Sequence, residues 1–310
     1  MKKFLSFLFL ALAVVSLASC RKDKGDDNNG GGNGGTTPVV RTYVADGKYT
    51  AFTHSLNYGK PQLTWVTVTI ENDQIKSFYI DQLQSGAEGW NEKTKKELGY
   101  LYAMFPALGN PAEDLEGYKA ALKEAGKLEW FEQAELLEAQ FLADLAGVTV
   151  ADGYFVGVTG VSIADNDYLA LAKKAVENAK AGIVTTFEAG KNQVAFATAK
   201  VDKDGKLSDV VLDVRQITNG AWREQTKQEL GYLYAMFPAL GNPAEDLEGY
   251  KAALKEAGKL EWFEQAALIV EGWLNGTITG EDITVVTGVT IKNSSYTNVL
   301  NALVADGWKK

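Results

Sequence analysis

The sequence predicts an α+β fold in two tandem domains, each an antiparallel sheet packed with helices. Three observations predict it. Residues 97–134, ELGYLYAMFPALGNPAEDLEGYKAALKEAGKLEWFEQA, recur letter for letter at 229–266, and a spacing of 132 residues fits a duplicated domain and is too long for a solenoid unit. Alternating apolar and polar residues precede each copy, the period of half-buried strands. A TGV[ST]I turn and an amphipathic stretch follow each copy. The identity includes lysines and glutamates of solvent-facing type, which packing does not dictate, so it reads as recent copying and does not measure which residues matter.

The front of the chain is separate. Residues 1–19 read as a lipoprotein signal peptide: Met1-Lys2-Lys3 is a basic n-region, and Phe4 to Leu17 is apolar but too short to span a bilayer stably. Leu17-Ala18-Ser19-Cys20 resembles a bacterial lipobox, which implies acylation of Cys20 and cleavage that leaves it as the new N-terminus. Cys20 is the only cysteine, so no disulfide forms within the chain and no Cys-based metal site is available. The single histidine, His54, argues against a Ser-His-Asp hydrolase and against His-rich metal sites, and reads as a surface residue near a hairpin loop. Residues 20–38 are a flexible tether, because Arg21 to Thr37 holds no apolar side chain to offset its ordering entropy. Loss of Lys2 and Lys3 with the leader takes the formal charge from −9 to −11. That acidity disfavours nucleic acid and anionic lipid and leaves membrane contact to the acyl anchor. The expected location is extracytoplasmic, lipid-anchored to the bacterial cell membrane.

Domain 1, residues 39–179, opens with strands at Tyr43–Phe52, Leu63–Ile70 and Ile75–Leu83, the last two joined by Glu71-Asn72-Asp73-Gln74 as an antiparallel hairpin. Domain 2, residues 180–310, repeats them at Ile183–Phe187, Val194–Val201 and Leu207–Ile217, with an Asp-Gly hairpin turn at Asp202–Gly205. The DxDG string there lacks the remaining ligands of a calcium loop. In the copied block, Asn110 as cap and Pro111 at the first helical position start a helix with Leu115, Tyr118 and Leu122 on one face. A second helix begins near Leu128, carries Trp130, Ala134, Leu137 and Phe141 at spacings of three and four, and stops at Gly147. Its aromatics, with Trp262 in the sister copy, read as core. A short strand (Gly153–Val158; Ile283–Val286), the turn and a last amphipathic helix close each half.

On the residues alone the turn has two readings. Gly160 and Gly288 permit a tight strand-to-helix turn whose hydroxyls satisfy local backbone. Alternatively, a Gly between hydroxyl residues ahead of a helix N-terminus offers N–H groups and a dipole to an anion such as phosphate. It also exposes a hydroxyl, Ser162 or Thr290, to esterification.

The order of hairpin, helical stretch with EWFEQA and closing TGV[ST]I turn resembles the FMN-binding domain of bacterial surface proteins. It is most similar to lipoproteins of the pheromone-lipoprotein A group, which carry two such domains behind a lipobox. The likeness covers residues 43 to 306. It implies an FMN-binding-domain-like fold, FMN as cofactor, and a D-x-x-[ST]-G-A-[ST] motif whose last hydroxyl is joined to the FMN phosphate by a flavin transferase. Carried over by position, the acceptors are Ser162 and Thr290, and Thr159-Gly160 and Thr287-Gly288 form the phosphate turn. The family's Ala is Val161 and Val289 here, and its leading Asp falls on Val156 and Thr284. A flavin ring needs an apolar slot with aromatic or Met walls, for which Tyr100, Tyr102 and Met104, with Tyr232, Tyr234 and Met236, are candidates.

The resulting expectation is an electron carrier, not an enzyme with its own catalytic residues. It would relay electrons from a membrane redox donor to an acceptor outside the membrane. The competing expectation is a surface binding or structural lipoprotein without flavin. No metal site is expected.

Overall fold

Three antiparallel strands open the described chain: β1 (Gly47–Asn57), β2 (Lys60–Glu71) and β3 (Gln74–Gln84), paired in that order. The computed structural model describes residues 41–86 and 89–310. The leader, Cys20 and the tether lie outside the described residues. Alternation decides which face is buried. Val66, Val68 and Ile70 of β2 and Phe78 and Ile80 of β3 point to the helices and are nearly inaccessible. Burying side chains of this size stabilises by roughly 1.5–3 kcal/mol each. Asn72 and Asp73 both take positive φ (53° and 61°), the two-residue turn whose twist suits a hairpin.

The copied block then folds as α1 (Lys95–Leu98), two 3₁₀ turns (Gly99–Tyr102 and Pro106–Leu108), α2 (Leu115–Glu124) and the front of α3 (Trp130–Asp144). Helix α2 starts later than its sequence suggests. Asp114 caps it, accepting from Gly117 N at 2.9 Å, while Asn110 closes the preceding turn by accepting from Ala112 N. Pro111 is therefore a turn residue. Helix α3 opens on a capping box of Glu129 and Glu132 and lies on β3. A small hairpin, β4 (Thr149–Ala151) and β5 (Tyr154–Val156), leads to α4 (Tyr168–Ala181), which packs across β1 and β2.

The second half repeats the plan with β6 (Ile183–Gly190), β7 (Gln193–Val201), β8 (Leu207–Thr218) and a short β9 (Ala221–Trp222) in one sheet. Its helices are α5 (Lys227–Leu230), α6 (Leu247–Glu256), α7 (Trp262–Leu274) and α8 (Ser295–Ala305). The stretch expected as a strand at Ile283–Val286 is instead a 3₁₀ turn. Asp282 bends it by accepting from both the backbone N (2.9 Å) and the hydroxyl (2.6 Å) of Thr284. Each half is thus an antiparallel sheet with helices. Among the described residues no helix is long and apolar enough to cross a membrane.

Residues 41–310 form one compact unit. Aromatic rings join its halves: Phe52 meets Phe187 at 5.1 Å and Phe196 at 5.4 Å, and Trp65 meets Phe187 at 5.2 Å. His54 is part of this seam, 4.5 Å from Trp222, and is not the surface residue its sequence context suggested. Burial, helped by the Arg215 charge, pushes its pKa down to about 3. The C-terminus crosses back as well. Trp308 packs at a tilt against Tyr49, with ring centroids 5.2 Å apart, and presses on Gly47, whose φ of +150° and missing side chain allow the approach.

Candidate functional site: the cleft beside Ser162

The motif EWFEQA explains most of the local architecture. Glu129 is wholly buried and accepts from Met104 N, Trp130 N and the Tyr118 hydroxyl (2.7 Å), tying the 3₁₀ turn, α2 and α3 together. Gln133, one turn further along α3, reaches the TGVS turn. Its Oε1 accepts from Ser162 N (2.6 Å), Ile163 N (3.1 Å) and Ser162 Oγ (3.2 Å), while its Nε2 donates to Leu128 O (2.7 Å). Gln265 does the same for Thr290 N (2.7 Å), Ile291 N (3.2 Å) and Thr290 Oγ1 (3.3 Å). These amides are therefore already taken, and Val161 N and Val289 N bond within the turn.

Gly160 (φ +84°) and Gly288 (φ +90°) lie against leucines of the preceding helical segments. A Cβ on Gly160 would stand 2.9 Å from Leu136 Cδ1, and one on Gly288 would stand 3.1 Å from Leu260 Cδ1. Thr159 and Thr287 face solvent beside them. Helix α4 begins only at Tyr168, and Asp165 serves its first turn by accepting from Leu169 N (2.9 Å). Tyr168 N and Leu171 N are also used locally, donating to Asp165 O and Asp167 O. What the turn does present is an exposed hydroxyl in each half, Ser162 and Thr290.

Ser162 stands on the wall of a cleft of about 520 Å³. Tyr102, Met104 and Trp130 supply apolar and aromatic surface there, Asn166 and Tyr58 polar groups, and Lys95 a cation. The size and the mixture suit a small-molecule ligand. Tyr100 is elsewhere, donating to Glu132 Oε1 at 3.0 Å, as Tyr232 does to Glu264.

Sequence reasoning missed Lys95. It is only 6% exposed, and its ammonium lies over the rings of Tyr102 (4.8 Å) and Trp130 (5.2 Å). Burial pulls its pKa down to about 8 against the opposing field of Asp81. Lys227 repeats the arrangement over Tyr234 and Trp262, also at about 8. The Thr-x-x-Glu capping box at Thr94–Glu97 and Thr226–Glu229 fixes each lysine at the first helical position, and that signal was available in the sequence. Trp130 Nε1 and the Tyr168 hydroxyl are buried without a hydrogen-bond partner among the described residues.

The second half differs at the corresponding place. Trp262 Nε1 donates to the Tyr296 hydroxyl at 3.1 Å. A groove of about 620 Å³ opens elsewhere, along Asp282, Thr284, Lys292 and Ser294, and none of Lys227, Tyr234, Trp262 or Thr290 lines it. Among known proteins, no family model, no curated protein and no solved structure matches the chain.

Proposed function

We propose that the chain is a lipid-anchored, extracytoplasmic flavoprotein that holds FMN in the cleft beside Ser162 and relays electrons outside the cytoplasmic membrane. One observation carries the reading: a single cleft joins the Ser162 hydroxyl to Tyr102, Met104, Trp130 and Lys95. The residues suit the cofactor in two respects. The rings and the thioether give a flavin apolar walls, and the partnerless Trp130 Nε1 and the Lys95 ammonium give its carbonyl edge a donor and a positive charge. The phosphate is met by side chains at the rim, Ser162 and Asn166, because Gln133 already holds the Ser162 and Ile163 amides. When bound, the flavin supplies reversible electron transfer. The chain binds it, shields its ring and sets the charge around it. In this reading Cys20 is the acylated residue, and a membrane redox donor and a flavin transferase are the partners.

The same Gln133 contacts favour a second reading, a lipoprotein that binds another planar anion in this cleft. Protein purified from its native host separates the two. Flavin absorbance is expected, and in-gel fluorescence after denaturation reports whether Ser162 or Thr290 carries a covalent link. A colourless preparation that takes up no added FMN would remove the flavin reading.

A further inference from the structure

Five buried side-chain nitrogen or oxygen atoms lack a partner among the described residues: His54 Nε2, Gln82 Oε1, Trp90 Nε1, Trp130 Nε1 and the Tyr168 hydroxyl. All five belong to the first half. Their counterparts in the second half are replaced or satisfied. Strand register puts Ala189 where the first half has His54 and Val214 where it has Gln82. Trp222, the counterpart of Trp90, donates to Ser55 O at 2.8 Å, and Trp262 donates to Tyr296.

The tryptophan pair is the sharpest comparison, because Trp130 and Trp262 lie in identical 38-residue blocks. Their difference therefore comes from what surrounds the block. In the second half the Trp262 and Tyr296 rings are 5.9 Å apart, with the Gln193 and Asn293 side chains beside the hydroxyl. In the first half the Trp130 and Tyr168 rings are 6.3 Å apart, and the indole N–H lies near the Tyr168 hydroxyl, beside the Asn166 side chain, without reaching hydrogen-bond geometry. There Gln62, the counterpart of Gln193, is held away by Gln84 (2.9 Å) and Ser55 (3.3 Å). The hairpins differ too. Beyond the matching Thr50–Thr67 and Thr185–Thr198 pairs, β1–β2 continues to Asn57–Lys60, whereas β6–β7 stops two pairs sooner at Gly190–Gln193. That extension brings Asn57 and Tyr58 to the cleft.

A buried donor without an acceptor is costly, and native chains rarely keep one without a use. The second half demonstrates that this fold is able to close the Trp–Tyr pair on itself. We infer that ligand binding is confined to the first half, where Trp130, on the wall of the cleft beside Ser162, keeps an indole N–H reserved for an acceptor on a planar, carbonyl-bearing anion. The second half is a closed copy that serves as scaffold across the aromatic seam. This rests on the proposed cofactor site and specifies it: one equivalent per chain, not two.

Two measurements test it on the mature protein. Calorimetric titration with FMN is expected to give one equivalent per chain. Trp130→Phe, which keeps a ring and removes the donor, is expected to weaken binding about fivefold to tenfold, with Trp262→Phe unchanged. Independently of any ligand, the indole N–H of Trp262 in the free wild-type protein is expected to exchange with deuterium at least about tenfold more slowly than that of Trp130. Two equivalents of FMN, or equal exchange at the two indoles, would overturn the inference. Absence of FMN binding with unequal exchange would remove the flavin reading and leave the single open site standing.

Discussion

Gln133 Oε1 accepts a hydrogen bond from Ser162 N at 2.6 Å, and Gln265 Oε1 accepts one from Thr290 N at 2.7 Å. A helix residue inside the copied block thus pins a turn outside it, in both halves. The contact links the two sequence features that persist together, EWFEQA and TGV[ST]I. It also assigns the Ser162 and Ile163 amides, and those of Thr290 and Ile291, to the protein itself.

Replacing Gln133 by Ala strips the Ser162 and Ile163 amides and the Leu128 carbonyl of their partner. Groups left unpaired in this way cost about 1–3 kcal/mol each when buried, so Q133A is expected to lose about 2–4 kcal/mol of stability. Ser162→Ala keeps the backbone bonds and is expected to lose less than about 1 kcal/mol. Urea denaturation of the two variants makes the comparison, and equal losses would mean that the glutamine does not hold the turn.

The pKa of Lys95, lowered to about 8 by burial, gives the cleft a charge that pH can remove. Its ammonium is present below pH 8 and lost above it, so FMN affinity is expected to fall as pH rises through 8. Lys95→Gln is expected to bind more weakly at pH 7 and to show no such fall, and Lys227→Gln to behave as wild type. The stability effect has the opposite sense. Holding the charge in the folded state costs stability below pH 8, and this cost disappears as pH rises towards the unfolded value near 10.5. Lys95→Met is therefore expected to be more stable than wild type at pH 7 by roughly 1–3 kcal/mol, with the gain shrinking in alkali.

His54 titrates at about 3 in the fold, well below its ordinary 6.5. The unfolded chain takes up this proton first on acidification, so the contribution of the neutral ring is fully present above pH 6.5 and is lost as pH falls towards 3. The slope from this one group is at most about 1.4 kcal/mol per pH unit. His54→Phe keeps an aromatic ring against Phe52 and Trp222 and is expected to remove that slope. Denaturation midpoints of the variant and wild type between pH 3 and 6.5 read the difference.

Gly47 is a packing constraint. A Cβ there would stand 2.3 Å from Trp308 Cη2, and φ is +150°. Gly47→Ala is expected to cost about 2–4 kcal/mol and to expose Trp308. A red-shifted Trp emission that Trp308→Phe abolishes would identify the displaced ring.

The sheet-and-helix plan was legible because alternation and helical spacing are local: the β1–β3 face of Val66, Val68 and Phe78 and the α3 stripe of Trp130, Leu137 and Phe141 follow from period alone. Errors came where a nonlocal contact or a competing cap decided the outcome. Asp114 outcompeted Asn110 for the α2 cap, and Asp282 bent a stretch whose composition suggested a strand. His54 looked like a surface residue because nothing in one strand announces that the other half will cover it. Ser162 was legible as an exposed hydroxyl and the Thr94 cap placed Lys95 at a helix start, but the burial of Lys95 and the reach of Gln133 were not legible, since a lysine behind a threonine cap and a glutamine on a helix ordinarily face water. Their roles depend on tertiary neighbours, Tyr102 and Trp130 for one and the turn amides for the other.

A crystal structure of the mature protein grown with FMN tests the central claim most directly. The expected result is density for a flavin ring against Tyr102, Met104 and Trp130, with its phosphate near Ser162. An empty cleft at saturating FMN, or a flavin bound at any other surface, would contradict the account.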